Sequence, residues 1–458
     1  MIKQNQLASN ERRAVASLAS IYMIRMLGLF MIFPVFSVYA VDLEGSQATL
    51  IGIAIGIYGL GQALFQLPYG LLSDRFGRKP LIMSGLLLFA LGGMVAAMST
   101  SIYGVIIGRG LQGCGAVAAV TMALLADLTR EENRTKAMAA VGMSIGIAFA
   151  LAMVLGPVLA AYLGLQGLFW LSSVLAVTAM FICWFVVPNP PVQLHQPGAV
   201  PIKSQLLGVL LDRQLARLNL GIFILHTTLT ACFVVLPLAL VHYGDLAIAK
   251  HWQVYLPVML VSFIAMLPLM LLAEKKGQVK AVFQFSLLAL MLALAGLGFN
   301  YQNLTAVLGF LLVFFFGFNL LESMLPSLVS KMAPASNKGS AMGLYSSAQF
   351  LGVFTGGALG GYIYGTWGIG AVFFSLCALV GFWFLFSVGM KSPAKIKSYT
   401  LSLVGMSDAG AKAVIAKLAT FDGVEEVLFA SQEQAAYLKV DHNKLDKKVF
   451  SEFQLEVR

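Results

Sequence analysis

Charge is scarce in this chain of 458 residues: only 11% are Asp, Glu, Lys or Arg, where an ordinary soluble domain carries roughly 25%. That shortfall excludes a conventional water-soluble globule, because the 59% hydrophobic content leaves an apolar excess that must face lipid. Cysteine is also sparse. Cys114, Cys183, Cys232 and Cys377 stand singly within apolar runs, without metal-ligand spacing, so they read as buried reduced thiols, with no disulfide framework and no metal site. No Gly-x-x-x-x-Gly-Lys-Ser/Thr phosphate loop occurs, which argues against direct coupling to ATP. No covalent catalysis is expected, so the chain does not read as an enzyme, and no cofactor is implied. The first apolar run lacks a small-residue cleavage site and is expected to remain as an anchor.

What the sequence has in abundance is long apolar runs. They recur at residues 14–39, 49–72, 80–99, 102–126, 137–163, 167–187, 217–241, 252–273, 281–299, 304–330, 340–364 and 369–390, each about long enough to cross a ~30 Å hydrocarbon core as a helix. The lipid bilayer is thus the first partner. The formal net charge of +10 is sorted by loop: Arg12, Arg13, Arg75, Arg78, Lys79, Arg130, Arg134, Lys136, Arg213, Arg217, Lys275, Lys276 and Lys280 fall on one side of a twelve-span arrangement, and Lys250 alone falls opposite. This sorting argues against nucleic acid as a partner and places both termini in the cytoplasm.

Residues 68–80, PYGLLSDRFGRKP, align without a gap onto residues 268–280, PLMLLAEKKGQVK, pairing Asp74 with Glu274, Arg75 with Lys275 and Gly77 with Gly277. Asn133-Arg134 likewise corresponds to Asn337-Lys338, and Gly156 is paired with Gly356. The expected plan is a six-helix bundle over 1–188, a linker with an interfacial helix over 189–216, a second bundle over 217–390, a short linker over 391–397 and a soluble tail over 398–458.

The segment Gly70-Leu-Leu-Ser-Asp74-Arg75-Phe-Gly77-Arg78-Lys79-Pro80 sets a dense charge cluster between two apolar runs. It resembles motif A of the major facilitator superfamily, Gly-x-Leu-x-Asp-Arg-x-Gly-Arg-Arg/Lys. The resemblance implies two six-helix bundles that work by alternating access, in a bacterial inner membrane. It also implies a conformational gate in which Asp74, Arg78 and an acid at the end of the fourth span, here Asp127, lock the outward-facing state. A carboxylate at position 74 suits the free N–H groups that open the eleventh span, near Gly339 and Ser340. In the second half Gln278 replaces the motif arginine, so an equivalent lock is not expected there.

Ionisable residues inside the spans are few and therefore candidates for function. Arg109 opens Arg109-Gly-Leu-Gln-Gly113, which resembles motif B, and lies about 27 Å from Asp127 at 1.5 Å per residue. The resemblance implies a part in proton coupling, and a structural arginine bonded to backbone carbonyls is the competing reading. Glu322, about 13 Å from Lys331, is the only carboxylate deep within a span and is the preferred site for taking up a proton. Arg25 lies at similar depth, which allows an Arg25–Glu322 contact. His226 and Asn319 join them as cavity candidates, as do Phe33, Tyr58, Phe233 and Phe318. Gly156-Pro157-Val-Leu-Ala-Ala partly resembles motif C, the antiporter signature of the fifth span, with two alanines for the final glycines.

The tail alternates in charge and apolarity as a βαββαβ pattern: strands at 399–404, 424–430 and 435–440, helices at 407–420 and 443–453, and a marginal last strand. It is similar to heavy-metal-associated domains of the copper-chaperone type. The two metal-binding cysteine positions hold Asp408 and Ala411, which excludes soft-metal capture by that route. The expectation is a proton-coupled exporter, driven by the proton gradient, of small lipophilic or amphipathic compounds, with a regulatory ferredoxin-like tail open to self-association or intramolecular docking. The competing expectations are a proton-coupled nutrient importer and a membrane sensor that signals through its tail.

Overall fold

The computed structural model describes residues 9–189, 208–333, 338–390, 396–402, 408–421, 423–430 and 435–441. Among them, ten helices are long and apolar enough to cross a bilayer. Two of these, Glu131–Phe181 and Lys338–Val388, run for 51 residues each, about 77 Å at 1.5 Å per residue and more than two hydrocarbon thicknesses. Each breaks at one glycine, Gly164 with φ 65° and Gly368 with φ 82°, a left-handed state that side chains disfavour. Counted on both sides of those breaks, the ten helices supply twelve spans.

The first span is Ser9–Phe30, the second Ala48–Phe76, the third Arg78–Met98, and the fourth Ile102–Cys114 together with Ala118–Asp127. Glu131–Phe181 supplies the fifth and sixth. The seventh is Arg213–His242, the eighth Trp252–Lys276, the ninth Val279–Asn300 and the tenth Leu304–Met332. Lys338–Val388 supplies the eleventh and twelfth.

Three departures from the apolar runs have local causes. The run 14–39 is one helix only to Phe30; turns lead through Pro34 to the short helix Phe36–Tyr39, because proline lacks the N–H that a continuing helix needs. The fourth span is interrupted between Cys114 and Ala118. The seventh starts at Arg213 rather than 217, where the Asp212 side chain accepts from the N–H of Gln214 at 2.8 Å and of Leu215 at 2.9 Å, an N-cap. Of the expected interfacial helix, residues 208–211 form one helical turn; residues 206 and 207 lie outside the described residues.

The internal repeat reaches into the packing. Arg13 donates to the carbonyls of Val186 (2.9 Å) and Phe185 (3.4 Å), which caps the end of the sixth span. Arg217 donates to the Gly389 carbonyl at the end of the twelfth. A cation at a helix C-terminus is favoured by the dipole and the free carbonyls there. The break glycines stand 204 positions apart, and a Cβ on Gly156 would collide with the Met31 carbonyl oxygen of the first half as one on Gly356 would with the Thr227 carbonyl oxygen of the second.

The halves meet along a seam between the second and eleventh spans. A methyl group on Gly52 would collide with the Gly357 carbonyl oxygen, one on Gly56 would meet that of Phe354 at 2.7 Å, and one on Gly59 would collide with that of Phe350. Bare backbones therefore touch. Nearer the Asp74 end the pair separates: a Cβ on Gly343 meets only the Leu67 side chain, at 3.1 Å, and one on Gly339 meets no described atom within 4 Å. On the closed side, the ring of Phe33 in the first-half turn lies 6.0 Å from that of Phe233 in the seventh span.

The described tail residues group with Leu272–Lys280 as a second compact unit. Strands β1 (Ile396–Ser402), β2 (Val424–Ala430) and β3 (Ala435–Asp441) form an antiparallel sheet in the order β1-β3-β2, and the helix Asp408–Leu418 connects β1 to β2. Leu401, Ala411, Leu418, Ala436, Leu438 and Val440 make its core. Ala411, one of the two positions compared with metal-binding cysteines in the sequence, is thus a packing residue. The expected second helix and last strand lie outside the described residues.

Candidate functional site

At the open end, Gly77 ends the second span with φ 92° and turns the chain so that Arg78 begins the third. Arg78 Nη1 lies 2.5 Å from Asp74 and 2.6 Å from Ser73 Oγ, and Arg78 Nε lies 3.1 Å from Asp127. Arg78 and Asp127 are enclosed, whereas the Asp74 side chain is 56% exposed. Arg75 stacks on Phe76, its guanidinium carbon 5.4 Å from the ring centre, outside this cluster. Asp74 pairs with Arg78, and residues 334–337, which lead into the eleventh span where a cap was expected, lie outside the described residues. Gly70 packs within its own half, against Ala119.

The interruption of the fourth span leaves carbonyl groups without helical donors inside the membrane, which only other protein groups can satisfy. Gln62 Nε2 donates to Gly113 O at 2.8 Å and lies 3.4 Å from Gly115 O; Arg25 Nη2 donates to Gly115 O at 3.2 Å. The same Arg25 nitrogen donates to the Tyr58 hydroxyl at 2.8 Å. Arg109 lies under that tyrosine, 5.5 Å from the ring centre, and donates to Ala54 O (3.3 Å), Ile55 O (3.1 Å) and Gln112 Oε1 (3.4 Å). The geometry of Arg109 is that of an arginine bonded mainly to carbonyls of the neighbouring second span.

The expected Arg25–Glu322 contact is corrected. Equal depth says nothing about which way a side chain faces, and Arg25 turns to the second and fourth spans of its own half. Glu322 instead meets the seventh and eleventh spans: Oε2 is 3.9 Å from His226 Nδ1, and Oε1 accepts from Gln349 Nε2 at 3.4 Å. Gln349 Nε2 also lies 2.8 Å from His226 Nε2. With the amide donating there, His226 Nε2 is the acceptor of that bond. The Glu322 side chain keeps 38% exposure. Asn319 turns away, donating to Ser262 of the eighth span at 3.1 Å.

Phe33, Tyr58, Phe233 and Phe318 are all buried and pack rather than line open space. Gly156 lets the fifth span abut the Met31 carbonyl, with Pro34 3.1 Å from where its Cβ would be, and Pro157 follows inside the helix. Sequence reading missed Gln62 and Gln349, whose neutral amides carry no charge signal. It also missed a clamp near the gate, where Glu11 accepts from Arg130 Nε (3.0 Å), Arg130 Nη2 (3.1 Å), the Arg130 backbone N–H (2.8 Å) and Asn133 Nδ2 (3.2 Å).

A family model described as Major Facilitator Superfamily matches residues 18–318 and 218–406. The chain is 45% identical over 451 residues to the inner membrane transport protein YajR of Escherichia coli (strain K12), covering 98% of each. It is 27% identical over 329 residues to the multidrug resistance protein MdtH of Yersinia enterocolitica, covering 71% of this chain and 79% of that one. Among solved structures, a bacterial homologue of the human lysosomal transporter Spinster superposes with a TM-score of 0.69 at 12% identity, covering 84% of this chain and 98% of that one. The human organic anion transporter MFSD10 does so with a TM-score of 0.61 at 21% identity, covering 82% and 99%.

Proposed function

Because this chain belongs to the major facilitator superfamily, we propose that it is a multi-pass inner-membrane carrier that exports small lipophilic or amphipathic compounds in exchange for protons, by alternating access. With the termini cytoplasmic, the seam lies on the periplasmic side and the structure is the inward-facing state. The gate cluster is then unlocked, with Asp74 held on Arg78. When the cytoplasmic ends close, Asp74 reaches the opening turn of that span and holds the outward-facing state.

The observation that carries the reading is the position of Gln349. Its amide joins Glu322 and His226, and the next residue is Phe350, whose carbonyl abuts Gly59 across the seam and whose ring lies 6.4 Å from that of Tyr58. A proton gained or lost at Glu322 changes what Gln349 donates to, and that change is delivered one residue from the contact that must open. The chain supplies the carboxylate, and the proton gradient supplies the energy. The tail, whose β1-β3-β2 order leaves the outer edge of β1 for the fourth strand of a ferredoxin-like sheet, serves as a cytoplasmic modulator by docking on the carrier or on a second copy.

The test is substrate flux with proton movement in proteoliposomes, screening lipophilic compounds, with wild type beside Glu322→Gln. Substrate-dependent proton release in wild type, reduced at least about tenfold in the variant, is expected. Coupled exchange retained by Glu322→Gln would sink the assignment of the proton site. Ligand binding with no flux in wild type would favour a sensor.

A further inference from the structure

The first half of the chain holds two arginines deep in its spans and no acidic residue between the span ends. Arg109 spends its donors on carbonyl oxygens at 3.1 to 3.4 Å. Arg25 does not. Its Nη2 serves Tyr58 and Gly115, while Nε and Nη1 have no partner among the described residues although the residue is only 1% exposed. A guanidinium stays protonated in proteins and brings five N–H donors. Here three of them are out of water and unpaired, a state that costs free energy and that a guest anion would relieve. The surroundings suit an apolar body: the Arg25 guanidinium carbon sits 5.8 Å from the centre of the Phe89 ring, and Tyr22 and Phe350 belong to the same packed cluster. Tyr58 lies beside Gly59 on the seam, so the pair stands where the two halves meet.

Resting on the carrier reading above, we propose that the compound it moves carries a carboxylate on an apolar body, and that Arg25 with Tyr58 receives that carboxylate. Among the described residues Arg25 has no counter-ion, because the substrate brings it. Glu322, in the other half, is left to the proton, so the two sites hold opposite charges and do not neutralise one another directly.

The experiment compares three probes with one ring and different head groups, 1-naphthoate, 1-naphthylmethanol and 1-naphthylmethylammonium, by equilibrium binding to the purified full-length protein. A charge-assisted hydrogen bond is worth about 1.5–3 kcal/mol, roughly a tenfold to hundredfold preference. Wild type is expected to bind naphthoate tighter than the alcohol by that factor. Arg25→Gln is expected to lose the preference while its affinity for the alcohol stays within about twofold, and Arg25→Lys to keep part of it. Equal binding of the three probes by wild type, or no naphthoate binding, overturns the proposal; this arm needs no variant, so a misfolded Arg25→Gln does not stall the decision. Flux in proteoliposomes judges the carrier reading separately. Naphthoate binding without flux or proton movement keeps the anion site and removes the carrier, whereas proton-coupled flux of the alcohol or ammonium probe with no preference for the anion does the reverse.

Discussion

At the residue scale, sequence patterns revealed charges and concealed partners. Asp74, Arg78 and Asp127 were legible because motif A places its charges within a few positions and a family pattern fixes the third. The partners of Arg25 and Glu322 were not. Depth along a helix can be counted from its ends, but facing depends on how the bundle is assembled, and the interruption at Gly115 gave Arg25 a carbonyl to satisfy that no apolar run announces. Gln62 and Gln349, neutral amides in apolar stretches, had no signal at all. The Glu11 clamp makes a prediction at this scale. The Glu11 side chain is only 7% exposed and accepts four hydrogen bonds, so Glu11→Ala leaves the donors of Arg130 and Asn133 short of an acceptor. A loss on the order of 1–3 kcal/mol is expected, seen as a lower melting temperature of the purified protein. An unchanged melting temperature would show the clamp to be energetically idle. Asp74→Asn is expected to bias the molecule further toward the state described here, read as slower flux with unimpaired substrate binding in detergent.

At the element scale, the twelve apolar runs located the spans well because hydropathy over some twenty residues is a strong signal, and the repeat in residues 68–80 and 268–280 announced two related halves. The breaks inside runs were not located. Pro34, Gly115, Gly164 and Gly368 interrupt helices in stretches that remain apolar throughout, so hydropathy passes over them. The seam gives this scale its prediction. Gly59→Leu places a side chain on the Phe350 carbonyl, so the seam end cannot close. Spin labels at Val41→Cys and Lys250→Cys, in a background without Cys114 and Cys377, are expected to report a longer distance in that variant than in wild type, together with flux lowered at least about tenfold. An unchanged distance distribution would mean that the glycine contact does not hold that end shut.

For the whole molecule, strand alternation placed two of the three described strands of the tail within a residue. The first strand begins earlier than expected, at Ile396, since its opening Ile-Lys-Ser is too short to alternate visibly. Deleting residues 398–458 is expected to leave a folded carrier with altered flux or altered dependence on pH and salt. Identical profiles with and without the tail would rule out modulation. The seam sets the cost of the transport cycle itself. The carbonyl groups that touch across it are already engaged in their own helices, so drawing the second and eleventh spans apart breaks no main-chain hydrogen bond and surrenders chiefly dispersion and weak Cα–H···O contacts. Among the described residues the seam is therefore held by many small attractions, so it can open and close again without the loss of a strong bond.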